Sequence, residues 1–177
     1  GRLVRDIESG GSYPLFVKPS GTGSSVGVSK VKNTQELKDA LKKAAQYDEK
    51  VLVEEFISGH EVEVAVLGNK NPIASVVGEV IAGAEFYDYD AKYNSPQSRT
   101  EIPADISEDA AERLRKAAVT VYEAMGCKGL SRVDFFLTYE GEEVVFNEIN
   151  TIPGFTSISM YPKLFEAAGV PNQKLIE

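Results

Sequence analysis

Two strand-like runs on either side of a short turn constrain this chain more than any other feature. Residues 131–137 (SRVDFFL) and 143–150 (EVVFNEIN) are rich in β-branched and aromatic residues. The five residues between them, TYEGE, include Gly141 and have the composition of a turn. The pattern predicts a β-hairpin that folds symmetrically about Gly141.

The symmetric register predicts which side chains share a face. It gives three cross-strand pairs: Arg132 with Asn150, Asp134 with Glu148, and Phe136 with Phe146. Because side chains alternate along a strand, all six project from one side of the hairpin. The opposite side is predicted to enter the core through Val133, Phe135, Leu137, Val145 and Ile149.

The polar members of this face predict a metal site. Asp134, Glu148 and Asn150 are oxygen donors, which suit Mg²⁺, an ion that keeps several waters and is usually completed by substrate phosphates. Arg132 adds a donor fork for phosphate or carboxylate, and the two phenylalanines provide a wall for a planar base. The alternative is an ordinary solvated hairpin face, and a one-residue slip in register would scatter the group.

Composition narrows the classes of partner. The chain has 177 residues and a net charge of −8, which argues against nucleic acid and membrane as partners. Cys127 is the single cysteine, so no internal disulfide framework exists and a reducing, cytoplasmic compartment is the simpler interpretation. No apolar run approaches membrane-spanning length. The length fits one domain or two small lobes.

Hydrophobic patterning predicts an α+β fold with two β-rich lobes, each covered by a helix, and a cleft between the sheets. We place one lobe at residues 1–58 and the other at 59–177, which contains the hairpin 131–150. Asn33 and Ser107 are predicted to cap helices. Residues 1–12 show no clear element, and the long aromatic segment 82–103 is predicted to be a lid loop.

Motifs in the first lobe predict contacts to a nucleotide. Lys18 precedes a glycine- and serine-rich loop, residues 20–27, whose amides could face phosphate. Without the other motifs, a plain hairpin turn is the better interpretation, and a Walker-type loop is disfavoured because a strand follows. The apolar strand end at Glu54 to Ile57 suits adenine, and Glu61 suits ribose hydroxyls. The alternative is a solvated strand end.

Two further segments carry candidate functional groups. The lid loop contains Lys92 and Tyr93 among several aromatic residues, although these tyrosines could equally anchor an ordered loop. After the hairpin, Gly154 offers a close-approach amide, and the hydroxyls of Ser157 and Ser159 suit a substrate carboxylate. The alternative for that segment is a helix entry capped by Ser157.

Taken in order, these motifs resemble the ATP-grasp superfamily and, within it, the D-alanine–D-alanine ligases. The resemblance covers nearly the whole chain and rests on FVKP (16–19), GSSVGV (23–28), VEEF (53–56), YDYDAKY (87–93), RVDFF (132–136) and NEINTIPGFT (147–156). It implies ATP-dependent ligation of two D-alanines through an acyl phosphate, for peptidoglycan synthesis. It also implies two Mg²⁺ ions, for which Mn²⁺ is expected to substitute.

The resemblance implies a role for each matching residue. Asp134, Glu148 and Asn150 would hold the metal ions, Arg132 and Gly154 would stabilise the acyl phosphate and the oxyanion, and Ser159 would bind the second carboxylate. The nucleotide would contact Lys18, Lys92, Glu54, Ile57, Glu61, Phe136 and Phe146. Ser24 and Tyr93 would hydrogen-bond to latch the lid, and Tyr93 favours the dipeptide-forming type.

The family also has an N-terminal domain whose sequence is not found here. We therefore expect the chain to be a fragment of a longer homodimeric parent, inactive alone, that takes D-alanine and ATP as substrates. Three alternatives stay open: a D-alanine–D-serine ligase, another ATP-grasp carboxylate–amine ligase, and a non-catalytic nucleotide-binding module.

Overall fold

The structure, a computed structural model, describes residues 1–23, 25–81 and 99–177. The described residues divide into two compact units, one made of 1–57 and the other of 58–81 together with 99–177. The five helices of this part of the chain are α1 (Arg2–Gly10), α2 (Thr34–Ala44), α3 (Glu108–Ala124), α4 (Met160–Ala167) and α5 (Asn172–Ile176). The strands are β1 (Leu15–Pro19), β2 (Ser29–Val31), β3 (Val51–Glu55), β4 (Gly59–Leu67), β5 (Ile73–Ile81), β6 (Arg99–Glu101), β7 (Leu130–Thr138) and β8 (Val144–Asn150).

The first unit is a three-stranded antiparallel sheet in the order β2-β1-β3. Burial alternates along β1, so Leu15 and Val17 enter the core while Phe16 and Lys18 project from the opposite face. Strand β2 adds Val31 to this core, α1 adds Val4, and α2 adds Leu37, Ala40 and Ala44. The helices therefore cover one face of the sheet and leave the Lys18 face outside that core.

The second unit is a five-stranded antiparallel sheet in the order β6-β5-β4-β7-β8. Helix α3 covers one face through Ala110, Leu114, Ala118 and Tyr122, which pack on valines of β4 and on Val133 and Phe135 of β7. Helix α4 covers part of the other face. A side chain at Gly78 of β5 would meet Leu164 and Met160 of α4 at 2.7 and 2.8 Å. The part of that second face on β4, β7 and β8 carries the polar residues described below.

The helix caps predicted from the sequence are confirmed. Asn33 accepts hydrogen bonds from the N–H groups of Gln35 and Glu36, and Glu36 in turn accepts from the N–H of Lys32. Ser107 accepts from the N–H of Ala110 at the start of α3. These local bonds satisfy the free N–H groups of a helix start, which is why short-range sequence signals suffice to locate them.

Two sequence expectations are wrong. Residues 2–10 form helix α1, because Val4 and Ile7 lie three residues apart and pack into the core of the first unit. The segment 82–103 is not a loop throughout, since Arg99–Glu101 pairs with β5 as strand β6. Residues 82–98 of that lid prediction lie outside the described residues. Along the described parts of the chain, no helix has the length and apolar character to cross a membrane.

The pairing of β4 with β7 leaves no room for a side chain at Gly59. A Cβ atom there would overlap the carbonyl oxygen of Leu137 and lie 2.8 Å from its carbonyl carbon and 2.9 Å from Thr138 Cα. We expect Gly59→Ala to lower the free energy of unfolding by about 2–3 kcal/mol, because the contact is with backbone that cannot rotate away. Urea denaturation monitored by circular dichroism measures this.

Gly10→Ala is the matched control, because nothing lies within 4 Å of a Cβ built at Gly10. We expect its unfolding midpoint to stay close to that of the parent chain. Equal midpoints for the two variants would show that β4 and β7 are not paired this closely at Gly59.

Candidate functional site

The β7–β8 hairpin brings the three predicted metal ligands together. Arg132 pairs with Asn150 and Asp134 with Glu148, so the first two predicted pairs are confirmed. The Asn150 side-chain amide donates to Asp134 Oδ2 at 3.1 Å and lies 3.3 Å from Glu148 Oε1. Asn150 thus links two carboxylates that would otherwise repel each other.

The third predicted pair is wrong, because the register shifts immediately after Asp134. Phe135 faces Phe146, and Phe136 faces Val145. The extra residue of this β-bulge reverses which side chains of β8 point to each face. Phe146 therefore does not share a face with Phe136: its ring packs edge-on against Phe135 with centroids 6.1 Å apart.

The same bulge corrects the predicted core. Val144, not Val145, packs against the core beneath α3, together with Ile149. The predicted core residues Val133, Phe135 and Leu137 of β7 are fully buried, as expected. The symmetric register therefore holds for the pairs from Asp134 with Glu148 to Arg132 with Asn150, and it fails between Asp134 and the turn.

Arg132 is held by two carboxylates. Its Nε and one terminal nitrogen donate to the two oxygens of Asp134, each at 2.7 Å. The same Nε lies 3.0 Å from Oε2 of Glu63, which projects from β4 on the strand next to β7. The side chains of Glu63, Asp134 and Arg132 are 10%, 7% and 20% exposed, so the cluster is largely shielded from water.

Glu63 was missed as a site residue in the sequence. It alternates with Val62 and Val64, a pattern that indicates a half-buried strand and says nothing about which strand lies beside it. Because β4 pairs with β7, Glu63 lies opposite Asp134 and Glu61 opposite Phe136. The position of Glu63 beside Asp134 can be recognised only once the order of the strands in the sheet is known.

Among the described residues, three carboxylates lie around Arg132: those of Glu63, Asp134 and Glu148. Burial by itself would lower the pKa of the Arg132 guanidinium, but the hydrogen bonds and charge of Asp134, with the charges of Glu63 and Glu148, raise it above its ordinary value. Arg132 therefore stays charged.

The oxygen donors of the hairpin fit a hard cation that takes only a few of its ligands from the protein. Across residues 1–23, 25–81 and 99–177, no group of three or more His, Cys, Asp or Glu is placed to hold a metal ion. The set Asp134, Glu148 and Asn150 has two carboxylates and one carboxamide. Mg²⁺ takes such sparse protein ligation, because water and phosphate oxygens complete its octahedron.

In the first unit, the predicted phosphate-binding and adenine-binding residues contact each other. Lys18 Nζ lies 2.8 Å from Glu54 Oε2, and both project from the face of the sheet that the helices leave open. The ring of Phe16 on β1 stacks with that of Phe56, the residue after β3, with centroids 6.2 Å apart. Ile57, which follows β3, is half-buried. A cation, a carboxylate and an aromatic surface therefore occur together on this sheet.

The segment between β8 and α4 holds Gly154 and Ser159 side by side. Ser159 Oγ accepts the N–H of Thr156 at 3.0 Å and is hydrogen-bonded to the Thr156 hydroxyl at 2.9 Å. A Cβ atom at Gly154 would lie 2.8 Å from that same oxygen, so only glycine fits there without a shift. The residue that precedes α4 is Ser159, so the alternative in which Ser157 caps this helix is wrong.

Three predicted site residues, Ser24, Lys92 and Tyr93, lie outside the described residues. His60, the single histidine, lies on the α3 face of the sheet, because it pairs across β4 and β7 with Leu137. Its Nδ1 is 2.6 Å from Glu79 Oε1, and its ring packs edge-on against Tyr139. It is therefore on the opposite side of the sheet from the acidic cluster.

Comparison with known proteins identifies relatives over almost the full chain. Residues 2–177 match the family model described as the D-ala D-ala ligase C-terminus. The D-alanine–D-alanine ligase of Acetivibrio thermocellus is 58% identical over 99% of this chain and 46% of its own length. That of Clostridium acetobutylicum is 49% identical over 99% of this chain and 51% of its own length.

Solved structures give the same result. A D-Ala:D-Ser ligase of Enterococcus faecalis superposes with a TM-score of 0.89 at 44% identity, over 99% of this chain and 51% of that one. The D-alanine–D-alanine ligase of Coxiella burnetii gives a TM-score of 0.83 at 40% identity, over 99% of this chain and 45% of that one. The chain thus spans about half the length of the relatives it matches.

The arrangement of Asp134 predicts a charge requirement for metal binding. We expect Asp134→Asn to weaken Mn²⁺ binding about tenfold or more, because affinity for hard cations depends on the number of charged ligands. Titration of Mn²⁺ followed by the electron paramagnetic resonance signal of the free ion measures this. Asp105→Asn, the same change at an exposed position of the same unit, is the control and should leave the affinity unaltered. Equal affinities for both variants would exclude Asp134 as a ligand.

Proposed function

This chain belongs to the family of D-alanine–D-alanine ligase C-termini, and we propose that, within a longer polypeptide, it carries the ATP and metal machinery of such a ligase. The observation that supports this most directly is the hairpin cluster, in which Asp134, Glu148 and Asn150 converge beside Arg132. A nucleotide-binding surface alone does not require a shielded arginine next to the metal ligands. The proposed reaction joins two D-alanines at the expense of ATP, in the cytoplasm, for peptidoglycan synthesis.

The proposed reaction has two steps. A carboxylate oxygen of the first D-alanine attacks the γ-phosphorus of ATP, and ADP leaves with its bridging oxygen and electron pair. The amine of the second D-alanine then attacks the acyl phosphate carbon, and inorganic phosphate leaves as the amide bond forms and the amine loses a proton. Both steps concentrate negative charge near the transferred phosphate, so fixed positive groups and N–H donors accelerate them.

We assign the metal ions to the hairpin. Asp134, Glu148 and Asn150 would hold two Mg²⁺ ions, with Glu148 shared between them. Bound there, the ions would neutralise phosphate charge, which is the usual contribution of magnesium to phosphoryl transfer. The carboxamide of Asn150 already bridges both carboxylates and would keep their oxygens oriented.

Arg132, Gly154 and Ser159 are proposed to act on the reacting groups. The Arg132 fork matches two oxygens of a phosphate or carboxylate, as its bidentate contact with Asp134 illustrates. The N–H of Gly154 is proposed to stabilise the oxyanion, and the hydroxyl of Ser159 to bind the carboxylate of the second substrate. The hydrogen bonds from Thr156 fix the Ser159 oxygen, which supports a role in positioning a ligand.

We propose the nucleotide contacts that the resemblance implies. Lys18 and Lys92 would contact phosphate, Glu54 and Ile57 adenine, and Glu61 the ribose. Phe136 remains a candidate to flank the base, because it lies opposite Glu61 on the sheet. Phe146 is withdrawn from that role, because its ring packs on Phe135 on the other face. Ser24 and Tyr93 are proposed to latch the lid, and residues 1–58 and 59–177 to be parts of the central and C-terminal lobes.

A second candidate function is ligation of D-alanine to D-serine. It is favoured by the TM-score of 0.89 with the D-Ala:D-Ser ligase of Enterococcus faecalis. Both ligations use the same phosphate and metal chemistry, so Asp134, Glu148 and Arg132 would have the same roles in either. The difference lies in the pocket for the second substrate, which Ser159 is proposed to line.

Phosphate release from ATP tests the proposal. We would measure it for a chimaera that joins this chain to the N-terminal half of the Acetivibrio thermocellus relative, with D-alanine alone and paired with D-serine or D-lactate. Release with D-alanine alone is expected and would establish dipeptide ligation. Release only with a mixed pair would support the second candidate. No release by a chimaera that binds ATP would leave a nucleotide-binding module or a ligase for other substrates.

The chimaera has a matched negative control. The same joined polypeptide with Asp134→Asn retains every other residue and should lose release at least about a hundredfold, because a charged metal ligand is absent at the transferred phosphate. Loss of release with retained ATP binding would assign the chemistry to the hairpin. Retained release would contradict the metal assignment.

The 177-residue chain without any partner is expected to release no phosphate above background with any of these substrates. The resemblance places the amino group of the first D-alanine on a glutamate of the N-terminal domain, and the substrate pocket would be incomplete without it. The same phosphate assay measures this. Dipeptide formation by the chain alone would contradict this division of the site.

A further inference from the structure

The proposed metal role of Asp134 competes with the contact that the structure shows between Asp134 and Arg132. Both Asp134 oxygens accept hydrogen bonds from Arg132, at 2.7 Å each. A metal ion on these oxygens would repel the guanidinium and make the carboxylate a weaker acceptor for its N–H groups. Metal binding at Asp134 therefore favours release of Arg132.

Glu63 is placed to make that release possible. Its Oε2 lies 3.0 Å from Nε of Arg132, the nitrogen whose hydrogen is donated to Asp134 Oδ1. While Asp134 accepts that hydrogen, Glu63 contacts Arg132 as an ion pair. Glu63 projects from the neighbouring strand directly opposite Asp134, so it needs no backbone movement to replace Asp134 at Nε.

We propose that Glu63 is a positioning residue that takes over the Nε hydrogen of Arg132 when Asp134 turns to a metal ion. The exchange keeps Arg132 charged and anchored through Nε on a part of the sheet with little exposure to water. It also leaves the terminal nitrogens, one of which now bonds Asp134, for an anionic substrate group. Without Glu63, Arg132 would lose its anchor at the moment when its position matters.

The burial of Glu63 supports this role. At 8% exposure it is as buried as Val4 in the core of the first unit, and burying a carboxylate is unfavourable unless it faces a positive group. Arg132 is that group. A carboxylate in this place is explained by the need to hold a cation beside the metal ligands.

The inference rests on the proposed metal role of Asp134, but its test does not. In Asp134→Asn, the charged partner at Nε is removed without any metal, and we expect Glu63 to take the hydrogen. The measurement is the exchange rate of the Arg132 Nε–H with water, by NMR of the 177-residue chain labelled with ¹⁵N-arginine. Loss of the resonance in Arg132→Lys assigns it.

The expected results separate Glu63 from general effects of mutation. Asp134→Asn alone should change the exchange rate by less than about threefold, whereas Asp134→Asn with Glu63→Gln should raise it about tenfold or more, the scale of a lost charged hydrogen bond. Asp134→Asn with Glu79→Gln is the matched control. Glu79 is also 8% exposed on the same sheet but pairs with His60, so this variant should behave like Asp134→Asn.

Two outcomes would overturn the inference. One is an equal exchange rate in Asp134→Asn with and without Glu63→Gln. The other is an Arg132 Nε–H in Asp134→Asn that exchanges as fast as that of Arg2, whose side chain is 91% exposed. This second measurement uses only the single variant, so it tests the inference even if the double variant does not fold.

Activity of the chimaera adds a separate readout. Glu63→Gln should lower kcat about tenfold or more while the KM for ATP changes little, because Arg132 is proposed to act on the transferred phosphate and not on the bound nucleotide. A slow Nε–H exchange that depends on Glu63, in a chimaera without ligase activity, would keep this inference and reject the proposed function. An active chimaera in which the exchange rate of the Arg132 Nε–H does not depend on Glu63 would support the proposed function and reject this inference.

Discussion

The pairing of β4 with β7 at the centre of the five-stranded sheet is the constraint on which the candidate site depends. Every residue of β4 has a partner on β7, from Gly59 with Thr138 to Leu67 with Leu130. This register sets Glu63 beside Asp134 and Glu61 beside Phe136. It requires glycine at the start of β4, where the two backbones come closest. The valines of the same strands fill the core beneath α3, so the apolar face fixes the register that aligns the polar one.

The polar face concentrates opposite charges where water has little access. A buried charge is unfavourable unless it is paired, and here the guanidinium of Arg132 contacts the carboxylates of both Glu63 and Asp134. Such an arrangement contributes little to folding stability compared with apolar side chains of the same size. It does provide a preorganised place for a cation and an anionic substrate, which is the electrostatic condition for phosphate chemistry.

Local information in the chain was enough for much of the fold and part of the site. The β-branched and aromatic composition of residues 131–137 located β7, and short-range hydrogen bonding located the caps at Asn33 and Ser107. The hairpin signal correctly paired Arg132 with Asn150 and Asp134 with Glu148. These features depend on residues a few positions apart, or on a hairpin whose partner is its neighbour in sequence, and so they can be read without a model of the whole sheet.

The features that the sequence did not predict depend on contacts between segments that are far apart in the chain. The bulge after Asp134 moves Phe146 to the other face, and nothing in the hairpin sequence marks where an extra residue is absorbed. Helix α1 forms because Val4 and Ile7 find a core built by β1, β2 and α2, although its own composition is polar. Glu63 becomes a partner of Arg132 only because β4 is the strand beside β7. The amino-acid sequence therefore specifies the chemical groups of the hairpin and their local order. The long-range packing of the sheet selects which of those groups share a face and which further carboxylate joins them, because side-chain direction and strand neighbours are properties of the assembled sheet.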